Sequence, residues 1–356
     1  MRPFANILHF CIIYARFYIL GDKYMPAFVK VLLIILAVLA GLFIIYVVVG
    51  SIYFFNFATY NRKAKKKKDV DSGGSKAADT LVKMFPSLLD TPDFILKRRN
   101  EFAAMPYEQM EIKSYDGITL RAKYYACENS EKTVICMHGF KSAGYIDYGP
   151  VVPFWHGIGY NVLLPDQRSC GMSDGKYVTF GAKEQIDCKD WAEFVSLKLC
   201  PGGKIVLLGT SMGGATVMLA SSLPGLPENV IGVISDCGYS SASEIVKHIA
   251  RSKFHIIPFP LYQVTDLLNR IIAKYSFEDA APVKSLKRTN LPFLFIHGEA
   301  DDFVPFYMEK LCFDACASEK KKCVSFPRAS HAHSLYTDPK KYEAEVKEFL
   351  LSCEAE

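Results

Sequence analysis

The chain has 356 residues, half of them hydrophobic, which is enough for one large domain or two small ones. Its 42 Lys and Arg against 37 Asp and Glu leave a formal net charge of +5. That excess largely reflects a single short lysine cluster, so the charge balance gives no ground for a nucleic-acid partner. The 11 cysteines fall without CxxC or CxxH spacing, which argues against a zinc site or a disulfide framework and suits a reducing compartment.

The chain opens with "FANILHFCIIYARFYIL", an apolar stretch interrupted by His9 and Arg16. It admits three readings: a second span forming a hairpin, an interfacial helix, or an extension before a start at Met25. Val31 to Asn61 then runs without a charged residue. A helix needs about 20 apolar residues to cross a hydrocarbon core, and this stretch supplies more. Residues 1–61 are therefore expected to form a membrane segment, with the main span at about 28–58. Its aromatic end "SIYFFNFATY" is what a span shows where it meets the headgroups. The length and the lack of a small-residue cleavage site argue against a signal peptide.

Arg62, Lys63 and Lys65 to Lys68 follow at once. Few positive charges precede the span, so this flank, and the rest of the chain with it, is expected to face the cytoplasm. The Lys63–Lys68 cluster would also meet anionic lipid. Residues 62–79 read as a polar linker and 80–108 as a helical adaptor.

A domain over 109–356 begins with "QMEIKSYDGITLRAKYYAC", alternation on both sides of an Asp116-Gly117 turn, which predicts a β-hairpin. Continuously apolar strands follow at 133–137, 161–165, 204–209, 229–235, 291–297 and 322–326. Helices are expected at about 181–199, 212–223, 306–317 and 338–352. Apolar strands alternating with helices imply an α/β fold whose mostly parallel sheet is buried on both faces. The long interval before the fifth of these strands predicts a small helical cap at about 238–285, over the carboxyl edge where such sheets bind ligands. Its stretch "FHIIPFPLY" is a candidate lining for an acyl pocket.

Three strand ends carry chemistry. "GTSMG" after "KIVLL" has the G-x-S-x-G form of a nucleophile elbow, with Ser211 at its tip. A serine hydroxyl needs a base, itself oriented by a carboxylate. Asp301 in "HGEADD" is the chosen acid, with Asp302 as the alternative. His331 in "SHAHS", nearest the strand end, is the chosen base ahead of His333. The chain order Ser, Asp, His is that of hydrolases of this architecture. His138 and His297, each before a glycine, read as turn-stabilising. The oxyanion donors would be the backbone N–H groups of Met212 and Phe140.

Taken in order, "HGF", "LLPDQRSCGMSDG", "GTSMGG", "IHGEADDFVP" and "SHAHS" make residues 109–353 resemble an α/β-hydrolase. The likeness is to membrane-anchored bacterial serine hydrolases related to the prolyl-oligopeptidase and serine-aminopeptidase groups. That resemblance implies structural roles for Asp166 and Arg168 in the D-x-R-x-x-G-x-S loop. A serine at the elbow argues against dehalogenases and epoxide hydrolases, whose nucleophile is an aspartate. "HGFKS" departs from the HGGG and HGGPG loops of two related groups. The leading expectation is a membrane-anchored carboxylic-ester hydrolase needing no metal or organic cofactor. A serine peptidase or amidase and a non-catalytic membrane-tethered module are the alternatives.

Overall fold

The structure is a computed structural model that describes residues 25–61 and 93–355. The possible second span at 1–24, the Lys63–Lys68 cluster, the 62–79 linker and the first part of the adaptor lie outside the described residues.

Helix α1 (Ala27–Ala58) contains 32 residues with Lys30 as its single charge. At 1.5 Å per residue it is about 48 Å long, more than a hydrocarbon core of about 30 Å requires. It is long and apolar enough to cross a membrane. The chain divides into two compact units, and the division falls inside this helix, between Ser51 and Ile52. The last turns of α1 thus belong to the folded body that follows, further back in the chain than composition placed its start. Helix α2 (Asp93–Ala103) precedes the sheet.

The hairpin forms where alternation predicts it: β1 (Glu108–Lys113) pairs antiparallel with β2 (Thr119–Tyr125). Its turn needs a residue with positive φ, and Gly117 supplies it at 83°. After β3 (Lys132–Met137) and α3 (Val152–Gly157) come β4 (Asn161–Asp166), α4 (Glu184–Phe194), β5 (Lys204–Thr210) and α5 (Met212–Ala220). Strand β6 (Val230–Asp236) leads into the cap helices α6 (Ala242–Ser252) and α7 (Leu261–Leu268). Strand β7 (Phe293–Gly298), α8 (Phe306–Ala315), β8 (Lys321–Phe326) and α9 (Pro339–Glu354) complete the body.

The eight strands lie in the order β1-β2-β4-β3-β5-β6-β7-β8. Strand β2 is antiparallel to both its neighbours, and every pairing from β4 onward is parallel. Alternate residues of one strand serve different cores. Ile135, Leu207, Val233 and Phe295 join one cluster, whereas Val134, Leu208, Ile234 and Leu294 join the other. A sheet covered on both faces requires strands apolar at every position, which is why they read as unbroken runs. The expected helices form with their ends shifted by a few residues. Helix α9 has clear start signals: Asp338 accepts a hydrogen bond from the Lys341 N–H, and Pro339 occupies the first position.

Candidate active site

Ser211 sits between β5 and α5 with φ 57° and ψ −117°, a conformation that L-residues rarely adopt. Two close approaches force the turn. A Cβ on Gly209 would lie 2.1 Å from the Gly213 carbonyl oxygen, and one on Gly213 would lie 1.7 Å from that of Met137. The helix can enter this close to β3 and β5 only with glycine at both positions. The Ser211 N–H donates to the Asp236 carbonyl at 2.8 Å, tying the elbow to the end of β6.

The loops after β7 and β8 bring two further groups to this point. His331 Nε2 lies 2.9 Å from Ser211 Oγ, and its Nδ1 lies 2.7 Å from Asp301 Oδ2. With Nδ1–H donating to the carboxylate, Nε2 is left as acceptor toward the serine. The other Asp301 oxygen accepts the N–H groups of Phe303 and Val304 at 2.9 and 2.8 Å. Burial alone would raise the Asp301 carboxyl, but His331 and His297 beside it hold it well below the ordinary range.

The alternatives point elsewhere. Asp302 is largely exposed and pairs with Lys253 at 2.5 Å. His333 Nδ1 bonds the His331 carbonyl at 2.7 Å and so shapes the turn that carries His331. His138 is fully buried. Its Nδ1 bonds the Gly139 carbonyl and its Nε2 accepts the Gln167 N–H, so it links two loops.

His297 does more than steady a turn. Its Nε2 lies 2.8 Å from the Val304 carbonyl and 3.2 Å from Asp301 Oδ2, and Glu309 lies 3.7 Å from its Nδ1. Burial works against a charge on His297, but Asp301 and Glu309 outweigh it and raise the imidazole to about 10. Glu309, itself buried without a hydrogen bond to its carboxyl, is pushed up to about 7 by that burial. The strand-end "HG" marks His297 in the sequence. No local pattern marks Glu309, which arrives from α8.

Phe140 and Met212 both line the cavity that contains Ser211. A Cβ on Gly139 would meet the Ser211 Cβ at 3.7 Å, so the loop after β3 passes directly beside the elbow. That loop is held at both ends. The Gly139 N–H donates to Asp147 at 2.7 Å, and Lys141 Nζ donates to the carbonyls of Phe57 and Tyr60 at 2.6 and 2.8 Å. Burial lowers the Lys141 ammonium to about 8.

The cavity holds about 900 Å3 of space, counting that open to solvent. Apart from Ser211, Lys247 and Thr265 its walls are apolar or aromatic. From the cap come Phe254, Ile256, Pro258, Leu261 and Tyr262.

Asp166 and Arg168 stand behind the site. The Asp166 carboxylate accepts the N–H groups of Gly144 and Met172 at 3.0 and 2.8 Å. Arg168 forms a bidentate pair with buried Asp187 at 2.6 and 2.7 Å and reaches Asp116 at 2.9 Å. Cys237, Asp301 and His331 place one donor atom each within 4.8 Å of the others. Both His331 nitrogens are already engaged, and burial raises the Cys237 thiol so that it stays protonated. This donor set does not fit a metal ion, which binds thiolate and a free imidazole nitrogen.

Comparisons with known proteins agree with this architecture. Residues 132–257 match the family model described as the alpha/beta hydrolase fold. An uncharacterized membrane protein of Saccharomyces cerevisiae, YNL320W, is 28% identical over 74% of this chain and 83% of its own length. The uncharacterized protein YqkD of Bacillus subtilis is 24% identical over 68% of this chain and 81% of its own length. Among solved structures, the Pyrococcus furiosus esterase PF2001 aligns with a TM-score of 0.58 at 21% identity, covering 71% of this chain and 93% of that one. Est1E of Butyrivibrio proteoclasticus, solved with ferulic acid, aligns at 0.54 with 23% identity over 69% and 100%. On its strand order, the elbow after β5 and these matches, the chain has the α/β-hydrolase fold.

Proposed function

We propose that the protein is a membrane-anchored serine hydrolase that cleaves carboxylic esters through an acyl-enzyme. The observation that carries the reading is the unbroken run Ser211 Oγ, His331, Asp301 at 2.9 and 2.7 Å, opening on an apolar cavity. His331 Nε2 takes the hydroxyl proton as Ser211 Oγ attacks the ester carbonyl. The N–H groups of Phe140 and Met212 receive the oxyanion, and Asp301 stabilises the imidazolium. His331 then protonates the leaving alkoxide. A water molecule, deprotonated by the same nitrogen, attacks the acyl-enzyme and releases the acid, and the proton returns to Ser211 Oγ. Helix α1 supports the anchor, as does the description of the yeast relative as a membrane protein. The Lys63–Lys68 cluster supports a cytoplasmic hydrolase domain.

Labelling with a fluorophosphonate tests the nucleophile. The wild-type protein is expected to label and Ser211→Ala not to label, and equal labelling of both rejects the assignment. Turnover of p-nitrophenyl esters is expected to exceed that of aminoacyl-anilides, and the reverse order turns the reading toward a peptidase.

A further inference from the structure

The end of α1 carries Phe54, Phe57 and Ala58 at spacings that place them on one helix face, and all three line the cavity that contains Ser211. The rings of Phe54 and Phe57 meet Phe254 of the cap edge to face, with centroids 5.3 and 5.6 Å apart. This segment is built into the body. Thr59 donates to Asn269 at 2.7 Å, Asn61 donates to the Ser169 carbonyl at 2.8 Å, and Lys141 caps the helix by bonding the Phe57 and Tyr60 carbonyls. Elsewhere in the same cavity Phe140, Phe180, Phe277 and Tyr262 form a continuous ring-to-ring wall with spacings of 5.3, 5.5 and 5.6 Å.

We propose that Phe54 and Phe57 are specificity-determining residues, forming part of the binding surface for a medium- to long-chain acyl group whose ester carbonyl sits at Ser211. The inference rests on the reading of Ser211 as nucleophile. A wall this apolar gains nothing from a polar substrate, and a two- or four-carbon acyl group leaves most of a four-ring face wet. Each further methylene removed from water is worth about 0.8 kcal/mol, or about fourfold in kcat/KM when the contact persists in the transition state. The aromatic end of α1 then has a use besides meeting lipid headgroups: it completes the acyl pocket.

The test uses the full chain in detergent micelles, with p-nitrophenyl butyrate and p-nitrophenyl laurate as probes. The wild-type protein is expected to favour laurate by about tenfold or more in kcat/KM, a small part of the fourfold-per-methylene limit. The double variant Phe54→Asn/Phe57→Asn is expected to lose most of that ratio. Leu351→Asn, exposed on α9 and away from the cavity, is expected to leave it within about twofold. A wild type with no chain-length preference, or a double variant of native thermal stability with an unchanged ratio, overturns the proposal. If the double variant does not fold, Phe57→Trp serves instead: it fills the pocket and should move the optimum to shorter chains, and an unmoved optimum overturns the proposal. Failure of wild-type Ser211 to label with fluorophosphonate removes both readings. A labelled enzyme with a flat chain-length profile removes this one alone.

Discussion

The elbow conformation predicts a stability order for two variants of the proposed nucleophile. Ser211 is held at φ 57°, ψ −117°, where a side chain carrying a Cβ costs of order 1–3 kcal/mol. Ser211→Ala and Ser211→Gly both lose the hydroxyl and its 2.9 Å contact with His331, so that contribution cancels between them. They differ only in the Cβ. Glycine removes the strain but brings about 0.5–1 kcal/mol of extra backbone entropy to the unfolded chain. The balance leaves Ser211→Gly more stable than Ser211→Ala by up to about 2.5 kcal/mol, in the same direction as the ordinary preference for glycine over alanine at a helix N-cap, the position Ser211 occupies. At about 2–4 °C per kcal/mol the difference is up to about 10 °C in Tm, readable by thermal unfolding of the two full-length variants side by side in the same detergent. Neither should label with fluorophosphonate. An alanine variant as stable as the glycine variant, or more so, would falsify the claim that the turn stores strain in order to present Oγ.

Two further perturbations separate the neighbours of the proposed triad. Asp301→Asn keeps an oxygen for the Phe303 and Val304 N–H groups but turns an amide toward His331 Nδ1, fixing the wrong tautomer. It is expected to lower kcat on p-nitrophenyl butyrate by a factor on the order of 10³–10⁴. Asp302→Asn should change kcat by less than about threefold, since it touches only an exposed ion pair, and similar losses for both would undo the choice between them. The second concerns pH. His297 binds its proton more tightly in the folded protein, near 10, than in an unfolded chain, near 6.5. Its stabilisation is therefore fully present below about pH 6.5 and lost as the pH rises through about 10. Urea midpoints at pH 6.5 and 10 should fall less for His297→Asn than for the wild type, and an equal fall places the proton elsewhere.

The strands and the polar residues at their ends were legible because each rests on a local pattern. A strand covered on both faces is apolar at every position, and β3 to β7 showed that directly. A turn that must pass within 2.1 Å of a carbonyl needs glycine, and Gly209 and Gly213 bracket Ser211 for that reason. Asp301 and Asp302 were harder to separate, because adjacent residues share every local signal. Packing separates them: one carboxylate is enclosed by His331, His297 and two backbone amides, and the other meets solvent and Lys253.

What composition could not show is where an apolar segment able to span a membrane begins to pack into the folded body. Val31 to Asn61 is uniformly apolar, and a lipid contact and a protein contact favour the same residue types. The distinguishing marks are polar and distant. Thr59 meets Asn269 and Tyr275, Asn61 meets Ser169, and Lys141 donates to the carbonyls at the helix end. Lys141 directly follows Phe140, whose N–H is assigned to the oxyanion, so the ammonium that caps α1 also anchors the loop beside Ser211. An isolated soluble domain that begins after Asn61 would therefore lack two aromatic walls of its cavity and the partners of Lys141. Such a truncation removes part of the proposed site along with the proposed anchor, which is why activity is to be measured on the full chain.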